Sequence, residues 1–387
     1  MTMIPYGTQW IDQQDIDAVV EVLRSDWLTQ GPAIERFESA VAAYCGARYA
    51  VAVSSGTAAL HLACLAAGLG NGDRLWTSPN TFVASANCGL YCGAKPDFVD
   101  IDPRTYNMDA NALAAKLASA AGAGALPSVV IPVHFAGQSC DMEAISVLAK
   151  KYRFAVIEDA AHALGGTYRG ERTGSCRWSD MTILSFHPVK LITTGEGGMV
   201  LTNREDLYER LLRLRTHGIT RDTRFLTAPS EGQWYYEQLE LGMHYRITDI
   251  QAALGLSQLD RLDAFVARRR VLAKRYDEAL AALPLTLPWQ HPDTLSAFHL
   301  YVVRLQPNNV RKTRRKVFEA LRERGIGVNV HYIPVHTQPY YRTLGFRNGM
   351  FPQAETYYEE AITIPLYPKM TDGEQGRVIA ALREVLA

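Results

Sequence analysis

The chain has 387 residues, beyond the ~250–300 at which single hydrophobic cores stop growing, so two closely packed domains are expected. A hydrophobic fraction of 48% with 21% charged residues is ordinary for a globular protein. Lys+Arg and Asp+Glu balance at 40 each, which removes any electrostatic drive toward nucleic acid or an anionic membrane and leaves small molecules as the expected partners.

The opening "MTMIPYGTQW" lacks a basic segment followed by an apolar one, so a signal peptide is not expected. No apolar run approaches the roughly 20 residues needed to span a bilayer. "RYAVAV" (48–53) predicts a buried strand, and "SSGTAALHLACLAAG" an apolar helix opened by Ser-Gly-Thr. "DRLWTSP" and "PDFVDID" predict strands on either side of a helix beginning near "TFVASANCGL". "ASAAGAGALP" (118–127) is expected to be a flexible connection. "SVVIPVHF" (128–135) and "FAVIEDA" (154–160) predict strands around a helix near 142–151, and "DMTILSF" (180–186) and "GGMVLTN" (197–203) two more. This alternation predicts an α/β fold, a mostly parallel sheet with helices on both faces and ligands beyond the strands' carboxyl ends.

After residue 245 the pattern changes. A long amphipathic helix over "ITDIQAALGLSQLDRLDAFVARRRVLAKRYDEALAAL" is followed by a strand near 299–305, a helix near 312–324, "GVNVHYI" as a strand, and a C-terminal helix. The expected division is a large domain over 1–245 and a smaller α+β domain over 246–387. The cysteines at 45, 64, 88, 92, 140 and 176 form no CxxC pair, and Cys88 and Cys92 at i,i+4 read as buried thiols. A reducing, cytoplasmic setting is expected, with no metal site.

Four places carry chemistry. The Ser-Gly-Thr turn exposes unpaired N–H groups at a positive dipole end, which suits a phosphate, although such caps also begin many helices that bind nothing. Asp159, ending "VIEDAAHALG" (156–165), is either a helix cap or an acid paired with a protonated heterocycle, with His162 one turn away. Phe82 in "TFVASAN" (81–87) either packs in the core or stacks on a flat ring. Lys190 stands five residues after Ser185 in "SFHPVKLITTGEGG". Pyridoxal 5'-phosphate (PLP) needs this combination: a lysine for its aldehyde, a carboxylate for its ring nitrogen, an aromatic face and a phosphate cradle. No GxGxxG follows the first strand, which argues against an NAD-binding protein.

"SGTAAL", "IEDAAHALG", "SFHPVKLITTGEGG" and "HYRITDIQAALG" resemble the DegT/DnrJ/EryC1/StrS family of PLP-dependent nucleotide-sugar aminotransferases. The likeness runs from "LTQGPAIERFE" to "AITIPLYP". It implies the aspartate aminotransferase-like fold of type I PLP enzymes, with Lys190 as the Schiff-base lysine and Asp159 on the pyridine nitrogen. It also implies His162 near the ring hydroxyl, Phe82 on the ring face, and Thr57, Ala58 and Ser185 on the phosphate. His244 in "GMHYR" replaces the family's usual asparagine, which reaches the neighbouring subunit's cofactor, so a homodimer with shared sites is expected. Tyr6, Thr29, Gln30, His187, Arg246 and His331 are the expected substrate contacts. Arg246 suits a carboxylate or a phosphate, and equally a structural salt bridge.

Within the family, "TTGEGG", "ALGLSQL" and "VHYIPV" are similar to aminotransferases of the pseudaminic acid pathway. That likeness implies amination at C4 of a UDP-linked 4-keto-6-deoxy-N-acetylhexosamine with L-glutamate, giving UDP-4-amino-4,6-dideoxy-N-acetyl-β-L-altrosamine. Bacillosamine- and perosamine-type enzymes are the competitors. A sugar dehydratase of the same family would carry histidine in place of Lys190.

Overall fold

The computed structural model describes residues 3–310 and 312–387. Helices α1 (Gln13–Arg24) and α2 (Pro32–Cys45) come first. The α/β portion then runs β1 (Tyr49–Val53), α3 (Gly56–Ala66), β2 (Arg74–Thr77), α4 (Ala84–Tyr91), β3 (Lys95–Phe98), α5 (Ala110–Gly122), β4 (Val129–Ile131), α6 (Met142–Tyr152) and β5 (Ala155–Asp159). A small hairpin, β6 (Thr167–Tyr168) and β7 (Glu171–Arg172), precedes β8 (Met181–Ser185), β9 (Gly198–Thr202) and α7 (Glu205–Arg215). The short pair β10 (Ile219–Thr220) and β11 (Glu237–Gln238) leads into α8 (Asp249–Leu259) and α9 (Leu262–Leu280). The last third contains β12 (Leu285–Thr286), β13 (Thr294–Leu295), β14 (Tyr301–Leu305), α10 (Arg314–Glu323), α11 (Pro339–Thr343), α12 (Pro352–Glu360), β15 (Ala361–Ile364) and α13 (Asp372–Leu386).

The main sheet has seven strands in the order β1-β9-β8-β5-β4-β2-β3. Pairings from β8 through β3 are parallel, while β9 runs antiparallel to both β1 and β8. Strands β1, β2, β5 and β8 therefore end at one edge, and β9 starts there. That edge is where an open α/β sheet offers a crevice. A second sheet, β12-β14-β15, organises the C-terminal core with Tyr276 of α9 and Leu382 of α13, and Ile4 from the N-terminus packs there too. Among the described residues no helix is long and apolar enough to cross a membrane.

Several local expectations are corrected. The Ala-rich stretch at 118–127 is helical through Gly122, because alanine's high helix propensity outweighs its scattered glycines. The long helical stretch breaks at Asp260–Arg261 into α8 and α9. The strand expected over 128–135 stops at Ile131: Pro132 follows, and Phe135–Gly137 make a 3-10 turn. "GVNVHYI" forms no strand; Asn329 alone bridges to Thr363, and the chain bends so that Tyr332 N–H donates to Asn80 Oδ1 at 3.3 Å. The β15 strand that answers it, "AITI", was not anticipated.

Helix α2 shows how distant segments lock. Its N-cap is Gly31, which has no side chain to satisfy the first N–H groups. The Asp249 carboxylate does so from the first turn of α8, accepting from Gly31 N–H at 2.8 Å and from Ala33 N–H at 3.1 Å. A Cβ on residue 31 would stand 2.5 Å from that carboxylate and 2.4 Å from Trp27 Cβ, so glycine is required. Replacing Asp249 by alanine strands a buried N–H and should cost about 1–3 kcal/mol. The check is urea unfolding at fixed protein concentration: the midpoint should fall with an unchanged slope.

Candidate active site

A cavity of about 450 Å³ opens at the edge where the strands end. The β1-to-α3 turn forms one wall. Ser55 Oγ caps α3 by accepting from Ala58 N–H at 3.1 Å, and Gly56 and Thr57 line the cavity. Ser185, ending β8, stands against this helix start: a Cβ on Gly56 would meet its Cβ at 2.9 Å and its Oγ at 3.1 Å. A glycine that admits a hydroxyl beside a helix N-terminus leaves a cradle suited to a phosphate. Ala58 is buried in the apolar cluster behind the turn and is not part of the cavity wall.

Asp159 ends β5 and is 6% exposed. Its Oδ2 accepts from Ser85 Oγ at 2.6 Å, its Oδ1 from Ala161 N–H at 3.2 Å, and the Ser85 hydroxyl also meets Thr81 Oγ1 at 2.8 Å. The neighbouring Glu158 points to the other face of the sheet, as strand alternation requires, and pairs with His134 Nε2 at 2.7 Å. Of the two acids, only Asp159 belongs to the cleft.

Lys190 is half-buried and lines the same cavity from the loop between β8 and β9. Burial draws its amine down to about 8, and the Asp159 carboxylate opposes part of that shift. The loop is anchored by Phe186 N–H to Gly197 O at 2.8 Å, and Lys190 N–H donates to His187 O at 2.8 Å. Phe82, at the mouth, is 58% exposed, which removes the core-packing alternative and leaves an apolar face toward the cavity.

Three histidines line the floor. His162 Nδ1 accepts from Ala136 N–H at 3.3 Å, so its proton sits on Nε2, 3.2 Å from the Tyr332 hydroxyl. Burial and then the Lys190 charge hold it well below the usual histidine range. His331, with Nδ1 2.8 Å from Thr363 Oγ1, is pushed down to about 3 by the same causes in the same order. His299, 4% exposed, lies with its ring 4.4 Å from that of His162 and is likewise held low, first by burial. Below them the buried guanidinium of Arg269 donates only to carbonyl groups, among them His299 O at 3.2 Å and Leu366 O at 2.8 Å.

Tyr6 and His187 also line the cavity. Thr29, Gln30, His244 and Arg246 do not. Thr29 and Gln30 are exposed in the turn before α2, with Gln30 Nε2 donating to Ile247 O at 3.2 Å. His244 is exposed, its Nε2 2.7 Å from an Arg246 guanidinium nitrogen, and Arg246 bridges Val53 at the end of β1. Ser85, His299 and Tyr332 were missed. Ser85 and His299 lie in ordinary helix and pre-strand sequence with no local signal, whereas Tyr332 sits in the His- and Tyr-rich run that already pointed to the site.

The donor set fits PLP. A cradle for the phosphate, an oriented carboxylate, an exposed aromatic face and an amine of lowered basicity converge on one cavity of suitable size.

A model of the DegT/DnrJ/EryC1/StrS aminotransferase family matches residues 9–383. The spore coat polysaccharide biosynthesis protein SpsC of Bacillus subtilis is 42% identical, over 99% of this chain and 97% of that one. Among solved structures, Streptococcus pneumoniae Spr1654 in its PLP form superposes with a TM-score of 0.89 at 31% identity, covering 100% of both chains. Helicobacter pylori PseC, an aminotransferase involved in pseudaminic acid biosynthesis, gives 0.90 at 29% identity, covering 100% of this chain and 99% of its own. Agreement of that extent in both sequence and fold means that this chain belongs to the DegT/DnrJ/EryC1/StrS family and is a PLP-dependent sugar aminotransferase.

Proposed function

We propose that the protein aminates C4 of a UDP-linked 4-keto-6-deoxy-N-acetylhexosamine with L-glutamate as donor, giving UDP-4-amino-4,6-dideoxy-N-acetyl-β-L-altrosamine. The observation that carries the chemistry is the half-buried Lys190 amine sharing one cavity with the Asp159 carboxylate. The sugar assignment is supported by the "TTGEGG" loop together with the likeness to PseC. The higher identity to SpsC favours a second reading, a 4-keto sugar aminotransferase that serves a polysaccharide.

PLP supplies an electron-withdrawing pyridinium ring that stabilises negative charge on the carbon bearing the transferred nitrogen. The protein's part is positioning and proton traffic. Asp159, each oxygen already fixed by one hydrogen bond, would hold the ring nitrogen through its remaining lone pairs. Ser55, Gly56, Thr57 and Ser185 would hold the phosphate at the start of α3, and Phe82 would offer its apolar face to the ring. Neutral His162, whose Nε2 proton now faces Tyr332, would with that tyrosine hold the ring hydroxyl. Lys190 Nζ, its basicity lowered by burial, would hold the cofactor's aldehyde and is the group available to carry a proton on that side of the cavity. Tyr6, His187 and His331 face the sugar. His244 and Arg246, outside their own subunit's cavity, would serve a partner's in a cytoplasmic homodimer, with Thr29 and Gln30 beside them.

Three outcomes follow. Asp159→Asn keeps the shape and the Ser85 contact but removes the charge, and turnover should fall by at least ~10²-fold with cofactor retained in the absorbance spectrum. Burial in the cofactor-free protein draws Lys190 down to about 8 from the ordinary lysine value of 10.5, so the unfolded chain binds more protons in between. Its penalty is full below about 8 and is relieved as pH rises toward 10.5. Melting of the apoenzyme should show wild type gaining on Lys190→Met across that window; parallel curves would refute the shift.

For the substrate, the enzyme is loaded with pyridoxamine phosphate and offered UDP-4-keto sugars epimeric at C5. Preference for the L-arabino epimer is expected. Preference for the D-xylo epimer would move the enzyme to the bacillosamine type, and turnover of 3-keto sugars alone would overturn C4 amination.

A further inference from the structure

Two consecutive acids end β5 and face opposite sides of the sheet. Asp159 serves the cleft, while Glu158, 5% exposed, is sealed behind it. A buried carboxylate needs answering donors, and here they are all side chains. Glu158 Oε1 accepts from Ser179 Oγ and, at 3.2 Å, from Thr182 Oγ1, while Oε2 meets His134 Nε2 at 2.7 Å. The other nitrogen of His134 is engaged as well, since Cys140 N–H donates to Nδ1 at 3.1 Å. The fully buried imidazole is therefore gripped on one side by β5 and on the other by the loop before α6.

His134 also opens the turn that backs the cleft. Its N–H donates to Asp159 O at 3.0 Å, and Asp159 N–H donates to Pro132 O at 2.9 Å, so the backbone of the cleft carboxylate is bracketed around residue 133. Two residues on, Ala136 lies in the left-handed region at φ 57°, and its N–H is the group that meets His162 Nδ1 at 3.3 Å. Gly137 follows, packed so closely that a Cβ there would stand 2.7 Å from Phe298 N and 2.9 Å from His299 N. Ala297 N–H and Leu300 N–H donate to the carbonyls of Gly137 and Ala136, at 3.0 and 3.3 Å. One short turn thus touches Asp159, His162 and the segment that carries His299.

We propose that Glu158 is a positioning residue for the cofactor site. By fixing the His134 ring from the back of the sheet it holds the turn, which keeps Ala136 N–H on His162 Nδ1 and Asp159 aimed into the cavity. A strained conformation such as that of Ala136 persists only while its surroundings over-determine it, and the Glu158–His134 contact supplies that constraint at the turn's first residue. Glutamine at 158 would turn its oxygen to the Ser179 and Thr182 hydroxyls and set its NH2 against His134 Nε2, donor against donor. The role rests on the placement of Asp159 and His162 around the cofactor ring and is independent of which sugar is aminated.

Glu158→Gln, His134→Gln and His134→Asn are compared with the wild-type enzyme. Glutamine at 134 can bring an N–H donor to the place of Nε2, whereas asparagine ends at the place of Nδ1 and leaves Glu158 unanswered. Two properties are read at fixed pH: the wavelength of the bound cofactor's visible band, which senses the groups around the ring, and the affinity of each apoenzyme for PLP. Glu158→Gln and His134→Asn should displace the band and weaken PLP roughly tenfold, the order of one buried hydrogen bond left unmade. His134→Gln should restore both. A lowered urea midpoint in Glu158→Gln and His134→Asn, with band and affinity unchanged, would mark a purely structural contact and overturn the proposal. Equal losses in His134→Gln and His134→Asn would overturn it too, and that pair decides by itself if Glu158→Gln fails to fold.

Discussion

A carboxylate and an amine held in one cavity, Asp159 and Lys190, set the conditions for every group around them. Burial drives the amine toward its neutral form, down to about 8, and the carboxylate offsets only part of that drive. A further positive charge on the floor would add to it. The floor is accordingly built of histidines kept neutral by desolvation and by the Lys190 charge itself. Such groups can exchange hydrogen bonds with a ligand without competing for its charge.

The sheet makes this arrangement possible from residues far apart in the chain. The cradle follows β1, Phe82 follows β2, Asp159 ends β5, and Ser185 ends β8. Each element contributes one polar or aromatic group at or just after its terminus, while its body is largely buried. A buried charge needs an answering partner: Asp159 at the strand end faces the cavity, whereas Glu158 before it is answered within the protein by His134. The C-terminal segment closes the cleft from the other side, bringing His299 from the start of β14 and His331 and Tyr332 from the bent stretch before the 3-10 turn.

This division explains how far the sequence could be read. Strand positions and the residues at their ends were legible, because local hydrophobic runs and motif residues coincide there. The mouth position of Phe82 and the cavity position of Lys190 could be inferred on that basis. Ser85 was not legible: it is one small residue in a helix, and its value comes from Asp159, 74 positions away. His299 depends in the same way on a tertiary contact with His162. The split between α8 and α9 was hidden because apolar periodicity continues across Asp260–Arg261. The "GVNVHYI" error has a comparable origin, since a β-like composition was overridden by packing of His331 and Tyr332 against the cleft.

The reversed strand β9 has a bearing on how such enzymes can be altered. Because β8 and β9 are adjacent antiparallel strands with Ser185 opposite Gly198, the lysine loop is pinned at both ends within one ladder. Thr193 Oγ1 and Thr194 N–H both close onto Phe186 O, at 3.0 Å each. An added or deleted residue there has no slack in which to be absorbed, and it would shift the amine relative to Asp159. The turn before α2 is held only at its end, by Asp249 on Gly31, and 329–337 only at points, through Asn329 on Thr363, Tyr332 on Asn80 and Val335 on Pro79. Grafting between relatives should therefore keep those anchoring residues while exchanging what lies between them, and carry the lysine loop across only as a piece of fixed length.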